Sequence, residues 1–113
     1  MTTNILNDLN NLYKKGKIVE CHKLAVDSLA TQGLRMEVVK YRIFASEKLQ
    51  LHDECKRFID LYLNYNPVDP DVIKIKIQVL KSNREFAELS EYLDFVTANI
   101  PINLDQINLT SSP

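Results

Sequence analysis

The segment "NYNPVDPDVIKIK", residues 64–76, decides between a helical and a mixed fold. Its last residues alternate between apolar side chains and lysines, which is typical of a strand with one buried face. However, Pro67 and Pro70 cannot continue a helix from upstream, whereas Asp69 followed by Pro70 fits a helix start with an aspartate N-cap and a proline in the first turn. We therefore predict a joint between two helices, the second beginning at about Pro70. Ile73 and Ile77 then face the core, and Ile75 points elsewhere.

A breaker residue recurs every 34 positions, at Gly33, Pro67 and Pro101. Mostly apolar columns keep the same register, and inside each unit they are spaced three and four apart, as one helix face requires. The columns include Ile5, Val39 and Ile73; Leu9, Ile43 and Ile77; and Ala25, Ile59 and Leu93. The pattern predicts an all-α domain over residues 1–101, made of three two-helix units at about 2–33, 34–67 and 68–101. The six helices are expected near 3–15, 19–31, 35–50, 53–65, 70–82 and 84–98.

Composition restricts the class of protein. The chain has 113 residues, of which 45% are hydrophobic and 26% charged, so it suits one helix-rich globular domain. A net charge of −1 argues against a general nucleic-acid surface, which needs a basic face to displace counterions from phosphates. The N-terminal "MTTNILNDLNN" is polar, and no apolar run approaches the length of a membrane span. A cytoplasmic protein without membrane contact is expected.

The unit "LNNLYKKGKIVECHKLAVDSLATQG", residues 9–33, resembles a tetratricopeptide repeat. It has the 34-residue period, a Gly between the helices, a small residue opening the second helix and a breaker at the end. The motif residues diverge: charged side chains stand where the family usually has Leu, and Gly16 is replaced in later units by Gln50 and Arg84. Another column has Leu12, Ser46 and Leu80 instead of the usual Tyr. The resemblance implies a short right-handed solenoid whose first helices line a concave groove.

The groove positions implied by this resemblance come from all three units. Tyr13, Tyr41, Phe44 and Ile75 would form an apolar stripe suited to an amphipathic helix from a partner protein; the alternative is that these side chains pack between neighbouring helices. A clamp for the C-terminal carboxylate of heat-shock chaperones is not expected, because Leu6, Tyr41 and Asp71 stand where it needs amides or cations. The full groove set is Leu6, Asn10, Tyr13, Lys40, Tyr41, Phe44, Glu47, Lys74, Ile75, Gln78 and Lys81.

Catalytic and metal-binding signals are weak. The only histidines are His22 and His52, and no nucleophile triad order, Gly-rich phosphate loop or paired zinc spacing occurs. Cys21 and Cys55 occupy equivalent repeat positions, about 10 Å or more apart at ordinary helix packing distances, so we expect small reduced core residues rather than a disulfide. We expect no enzyme, no metal and no cofactor. An enzyme or a regulatory ligand-binding domain is the third interpretation.

Residues 102–113 form a short tail that is expected to give only an incomplete C-terminal cap. Its apolar residues either fold back over the last helix or leave that helix as a second apolar surface. The tail residues concerned are Ile102, Leu104, Ile107 and Leu109, and their targets are Phe86, Leu89, Leu93 and Val96.

The stretch "CHKLAVDSLATQGLRMEVVKYR", residues 21–42, is similar to the middle of the chaperones of type III secretion needle subunits. These small repeat proteins hold the amphipathic C-terminal helix of the needle subunit in their groove, usually with a small helical co-chaperone. The resemblance implies a cytoplasmic chaperone that prevents premature polymerisation of its partner. The alternative is a tetratricopeptide-type scaffold or adaptor subunit of a larger protein assembly, binding another peptide in the same groove.

Overall fold

The computed structural model describes residues 4–100 and contains six helices and no strand in that range. The prediction of an all-α fold with six helices is confirmed, and every helix end lies within two residues of its expected place. The predicted tail at 102–113 and its cap lie outside the described residues. The helices are α1 (Ile5–Lys14), α2 (Ile18–Gln32), α3 (Met36–Lys48), α4 (His52–Tyr65), α5 (Pro70–Ser82) and α6 (Phe86–Asn99).

The joint at residues 66–69 has the predicted construction. Asp69 is the N-cap of α5, and its Oδ1 accepts a hydrogen bond of 3.0 Å from the backbone N–H of Asp71. Pro70 is the first helical residue, where no N–H is needed. Ile73 and Ile77 lie in a buried cluster as expected. Helical spacing, not alternation, therefore determines which of the isoleucines share a core.

The turns that end α1, α3 and α5 are the same turn repeated at intervals of 34 residues. Each contains one residue with a left-handed backbone, followed by a residue whose N–H bonds to a carbonyl five positions earlier at 2.9 Å, as in a Schellman C-cap. Gly is favoured at the left-handed position because it has no Cβ. The three residues are Gly16 (φ 78°), Gln50 (φ 62°) and Arg84 (φ 59°). The repeat is thus retained in backbone geometry where the glycine itself is lost.

Both cysteines are buried and free, and they make equivalent contacts. The Sγ of Cys21 lies 3.6 Å from the carbonyl oxygen of Leu9, and that of Cys55 lies 3.7 Å from the carbonyl oxygen of Ile43. Burial raises the pKa of Cys21, while burial and then the charges of nearby carboxylates raise the pKa of Cys55 to about 12. The prediction that both cysteines are small core residues is confirmed.

The helices form two compact units that divide between Tyr62 and Leu63, inside α4. In the first unit, α1, α2 and α3 pack consecutively around a core of Leu9, Cys21, Ala25, Val38 and Ala45. In the second unit, α5 packs against α6 around Ile73, Ile77, Val96 and Ile100. This consecutive packing is consistent with a helical repeat. The single domain, its three-unit boundaries and the right-handed solenoid stay predictions.

None of the helices within residues 4–100 combines the length and apolar character needed to cross a membrane.

Candidate functional site

Three of the predicted groove residues converge in the first unit, where α1 packs against α3. The ring of Phe44 lies 5.7 Å from that of Tyr13 at a tilt of 41°, and 6.0 Å from that of Tyr41 in an edge-on arrangement. Such geometries are favourable for aromatic pairs. Tyr41 and Phe44 are three residues apart on α3 and therefore lie on one side of it. We call Tyr13, Tyr41 and Phe44 the aromatic face.

Two charged groove residues border the aromatic face. The Nζ of Lys40 lies 5.7 Å from the ring centre of Phe44, within the range of a cation–π contact. Burial, followed by the negative charge of Glu47 and the thiol of Cys21, raises the pKa of Tyr13 above its ordinary value. The phenol of Tyr13 therefore stays protonated at neutral pH and can act as a hydrogen-bond donor. The aromatic face thus combines apolar rings with one cation and one anion.

The aromatic face is only partly exposed. Tyr13, Tyr41 and Phe44 are all half-buried, as are Leu6 and Asn10 on α1. Leu6, Tyr13 and Tyr41 also pack against the core of the first unit. The alternative of packing between helices therefore accounts for part of each tyrosine's surface, while the rest is accessible to a partner.

The four groove residues predicted on α5 belong to the second compact unit. Lys74, Gln78 and Lys81 are exposed. Ile75 is buried, with only 9% of its surface exposed, so it offers little apolar surface to a ligand. α5 has six buried side chains, Ile75 among them, so the expectation that Ile75 points away from the core is not met. Within the first unit the apolar stripe consists of Tyr13, Tyr41 and Phe44.

A polar cluster that the sequence pattern did not predict lies in the first unit around Glu54. Its Oε2 is 2.5 Å from Nε2 of His22, 3.0 Å from Nε of Arg42 and 2.7 Å from Oγ of Ser46. These residues come from α4, α2 and α3 and are buried or largely buried. The guanidinium of Arg42 also lies 4.2 Å from the ring centre of Phe58. We call His22, Arg42, Ser46 and Glu54 the Glu54 cluster.

The Glu54 cluster is built to keep its carboxylate ionised. Burial alone would raise the pKa of Glu54, but hydrogen bonds from Arg42, His22 and Ser46, together with the charge of Arg42, outweigh it and lower the pKa to about 2. A carboxylate with so low a pKa is a poor proton acceptor at neutral pH. The cluster therefore links α2, α3 and α4 rather than providing a general base. One feature of the sequence points to the Glu54 cluster. Ser46 is the polar residue in a repeat column whose other members are Leu12 and Leu80.

The two histidines and the two cysteines lie in different surroundings. His22 contacts Glu54, His52 begins α4, and both thiols are buried. Among residues 4–100, no group of three or more His, Cys, Asp and Glu side chains is arranged to hold a metal ion.

Comparison with known proteins gives no relative: no family model, no curated protein and no solved structure matches this chain.

Proposed function

We propose that this chain is a non-catalytic protein-binding module that holds an amphipathic helix of a partner protein on its aromatic face. The observation that carries the proposal is the convergence of three half-buried aromatic rings from α1 and α3, with Lys40 beside Phe44 and the negative charge of Glu47 acting on Tyr13. Aromatic side chains supply much of the binding energy of protein interfaces, because they offer large contact areas with few rotatable bonds.

The spacing of the rings fits a helical ligand. The ring centres are 5.7 Å and 6.0 Å apart, which is close to the separation of about 5–6 Å between side chains three or four positions apart on a helix. Two or three apolar side chains of such a ligand can therefore each contact one ring or the gap between two rings. Lys40 and Glu47 would set its orientation, because charges at the border of an interface favour complementary partners.

The most specific form of the proposal is a cytoplasmic chaperone for a type III secretion needle subunit. It is supported by the sequence resemblance over residues 21–42 and by the suitability of the aromatic face for a self-assembling apolar helix. Covering that helix would prevent early polymerisation. The alternative is a tetratricopeptide-type scaffold or adaptor subunit, whose ligand would use the same face within a larger assembly.

The test is co-expression with small helical partners, needle subunits and their co-chaperones among them, followed by light scattering to measure the mass in solution. We expect one defined complex, whose Kd rises about tenfold or more in Phe44→Ala and Tyr41→Ala. Val19→Ala is the matched control, since Val19 is apolar, 55% exposed and outside the aromatic face. Thermal melting of each variant separates lost binding from lost folding, because Tyr41 also contacts the core.

Two outcomes would contradict the proposal. If the chain is a monomer that binds none of these helices, it is not a chaperone for them. A complex that is weakened equally by Val19→Ala and Phe44→Ala would place the interface away from the aromatic face.

A further inference from the structure

The helix α6 has a face that corresponds to a covered face of α2. A shift of 68 residues, two repeat lengths, relates the two helices. On α2 the face consists of Ile18, His22, Ala25 and Leu29, which lie three or four positions apart and so share one side of the helix. We call its counterpart on α6 the open face, formed by Phe86, Ser90, Leu93 and Thr97.

In the first unit, α3 covers the face of α2 that Ile18, His22, Ala25 and Leu29 form. Ala25 is completely buried, and Ile18 and Leu29 pack in the same core cluster as Val38 and Ala45 of α3. His22 contributes a polar contact to Glu54. The face of α2 is therefore the surface on which the next helix of the repeat packs.

On α6 the equivalent residues are accessible. Phe86 is 58% exposed, Ser90 and Thr97 are exposed, and Leu93 is half-buried where Ala25 is fully buried. Although α6 contains eight apolar or aromatic side chains, Val96 is its only fully buried residue among those described. Burial of apolar surface stabilises a protein in proportion to the area removed from water, so the open face is a favourable place for a further helix to pack.

The charge of α6 identifies the kind of helix that fits. The helix contains Glu88, Glu91 and Asp94 but no Lys or Arg, and Asp94 lies beside Ser90 and Thr97 at helical spacing. A second copy of α6 would bring like charges together. Residues 101–113 also lack any Lys or Arg, with Asp105 as their one charged residue. A basic helix complements this surface in both apolar character and charge.

We propose that the open face of α6 is a second docking site, which takes a basic amphipathic helix from a partner protein. The apolar side of that helix covers Phe86 and Leu93, in the position that α3 takes on α2. Its Lys or Arg side chains meet Asp94, which borders the open face. The site is independent of the aromatic face and does not rest on the proposed chaperone function.

The test uses the full chain and a fluorescent synthetic peptide of Leu and Lys, about five helical turns long, with Leu along one face. A second peptide keeps the Leu positions and replaces every Lys by Glu. Fluorescence anisotropy is expected to show binding of the Lys peptide that is at least tenfold tighter than that of the Glu peptide. Binding should also weaken as salt is added, because exposed charges are screened.

Two variants and two matched controls locate the site. Phe86→Ser should weaken binding of the Lys peptide about tenfold, and Asp94→Lys several-fold with a smaller salt dependence. Val19→Ser removes an equally exposed apolar side chain from α2, and Glu20→Lys makes the same change in net charge there. Neither control should change the affinity. Phe86 is more than half exposed, so Phe86→Ser is expected to leave the fold intact.

Four results would overturn the proposal. The first is equal affinity for the Lys and Glu peptides, and the second is equal loss of Lys-peptide affinity in Phe86→Ser and Val19→Ser. The third is self-association of the chain that Phe86→Ser abolishes. The fourth is binding of the Lys peptide that appears only when Leu104→Asp and Ile107→Asp are introduced. The third result would assign the open face to a second copy of the chain. The fourth would assign it to residues 101–113.

Discussion

Equivalent positions in α3 and α5 are filled in different ways on the same helical frame. Each helix carries a cation 4.2 Å from the centre of an aromatic ring on the helix that follows it. Arg42 of α3 lies over Phe58 of α4, and Lys76 of α5 lies over Tyr92 of α6. One turn later the two helices diverge, with Ser46 at the position of Leu80, and both side chains are almost fully buried. Ser46 contacts the carboxylate of Glu54, whereas Leu80 contributes only apolar surface.

This difference shows that the 34-residue frame sets where side chains meet but not what chemistry they use. A buried polar network stabilises the fold when every member has a partner and is costly when one is missing. No buried side-chain nitrogen or oxygen among the described residues lacks a hydrogen-bond partner, so the Glu54 cluster meets this condition. An apolar residue at the same position has no such requirement.

The largest expected effect comes from exchanging the side chains at positions 46 and 80. Leu80→Ser should lower the free energy of unfolding by about 3 kcal/mol, because it removes buried apolar surface and leaves a cavity. Ser46→Leu should cost about 2 kcal/mol, since it removes a donor to Glu54 and crowds the site. Urea denaturation measures both. Leu51→Ser, at an exposed leucine, is the control. A cost below about 1 kcal/mol for Leu80→Ser would show that the two positions are not equivalent in packing.

A smaller effect, dependent on pH, is expected at Glu54. Its pKa in the folded protein is about 2, below the ordinary 4.5, so its contribution is present above pH 4.5 and is lost as the pH falls towards 2. With allowance for its partial exposure, the contribution is about 2 kcal/mol. The stability of the unchanged protein should therefore fall more steeply below pH 4.5 than that of Glu54→Gln.

Glu20→Gln is the matched control for this comparison, because Glu20 occupies the same column of the repeat and is exposed. Its stability profile should follow that of the unchanged protein within about 0.5 kcal/mol. Parallel acid profiles for the protein and Glu54→Gln would mean that Glu54 does not carry the pH dependence. Urea denaturation at several pH values gives the profiles.

The smallest effects concern the repeated left-handed turns. Gly16→Ala should destabilise the protein by about 1 kcal/mol, because a Cβ is strained at a φ of 78° even though nothing lies near it. Gln50→Gly and Arg84→Gly should each stabilise it by about 0.5–1 kcal/mol, since they remove a Cβ from the same conformation. Thermal melting compares the three variants. Destabilisation by Gln50→Gly and Arg84→Gly would show that the side-chain contacts of Gln50 and Arg84 outweigh backbone strain.

Much of the fold follows from local signals in the sequence. Asp69 and Pro70 mark a helix start whatever lies around them, and the 34-residue columns carry the spacing of all six helices. The left-handed turns at Gln50 and Arg84 were less visible, because only Gly16 shows the residue that such a turn prefers. Backbone hydrogen bonds imposed the conformation on the other two positions.

The candidate site was less accessible to sequence reasoning. Tyr13, Tyr41 and Phe44 were placed by the resemblance to the tetratricopeptide repeat, which gives the side of a helix but not the depth of a side chain. Ile75 shows the limit, because it was expected in the groove but is one of six buried side chains on α5. The Glu54 cluster joins residues 32 and 12 positions apart, so no short motif announces it. Only the three-dimensional packing of α2, α3 and α4 brings its members together.

The two buried thiols have a practical consequence for labelling experiments. Thiolates, not thiols, react with maleimides and disulfide reagents, and both Cys21 and Cys55 are buried with raised pKa values. The two natural cysteines of the folded chain are therefore expected to react slowly with such reagents. A single cysteine introduced at the exposed Phe95 or Val19 would accept a spin label or fluorophore selectively, without prior removal of the natural cysteines.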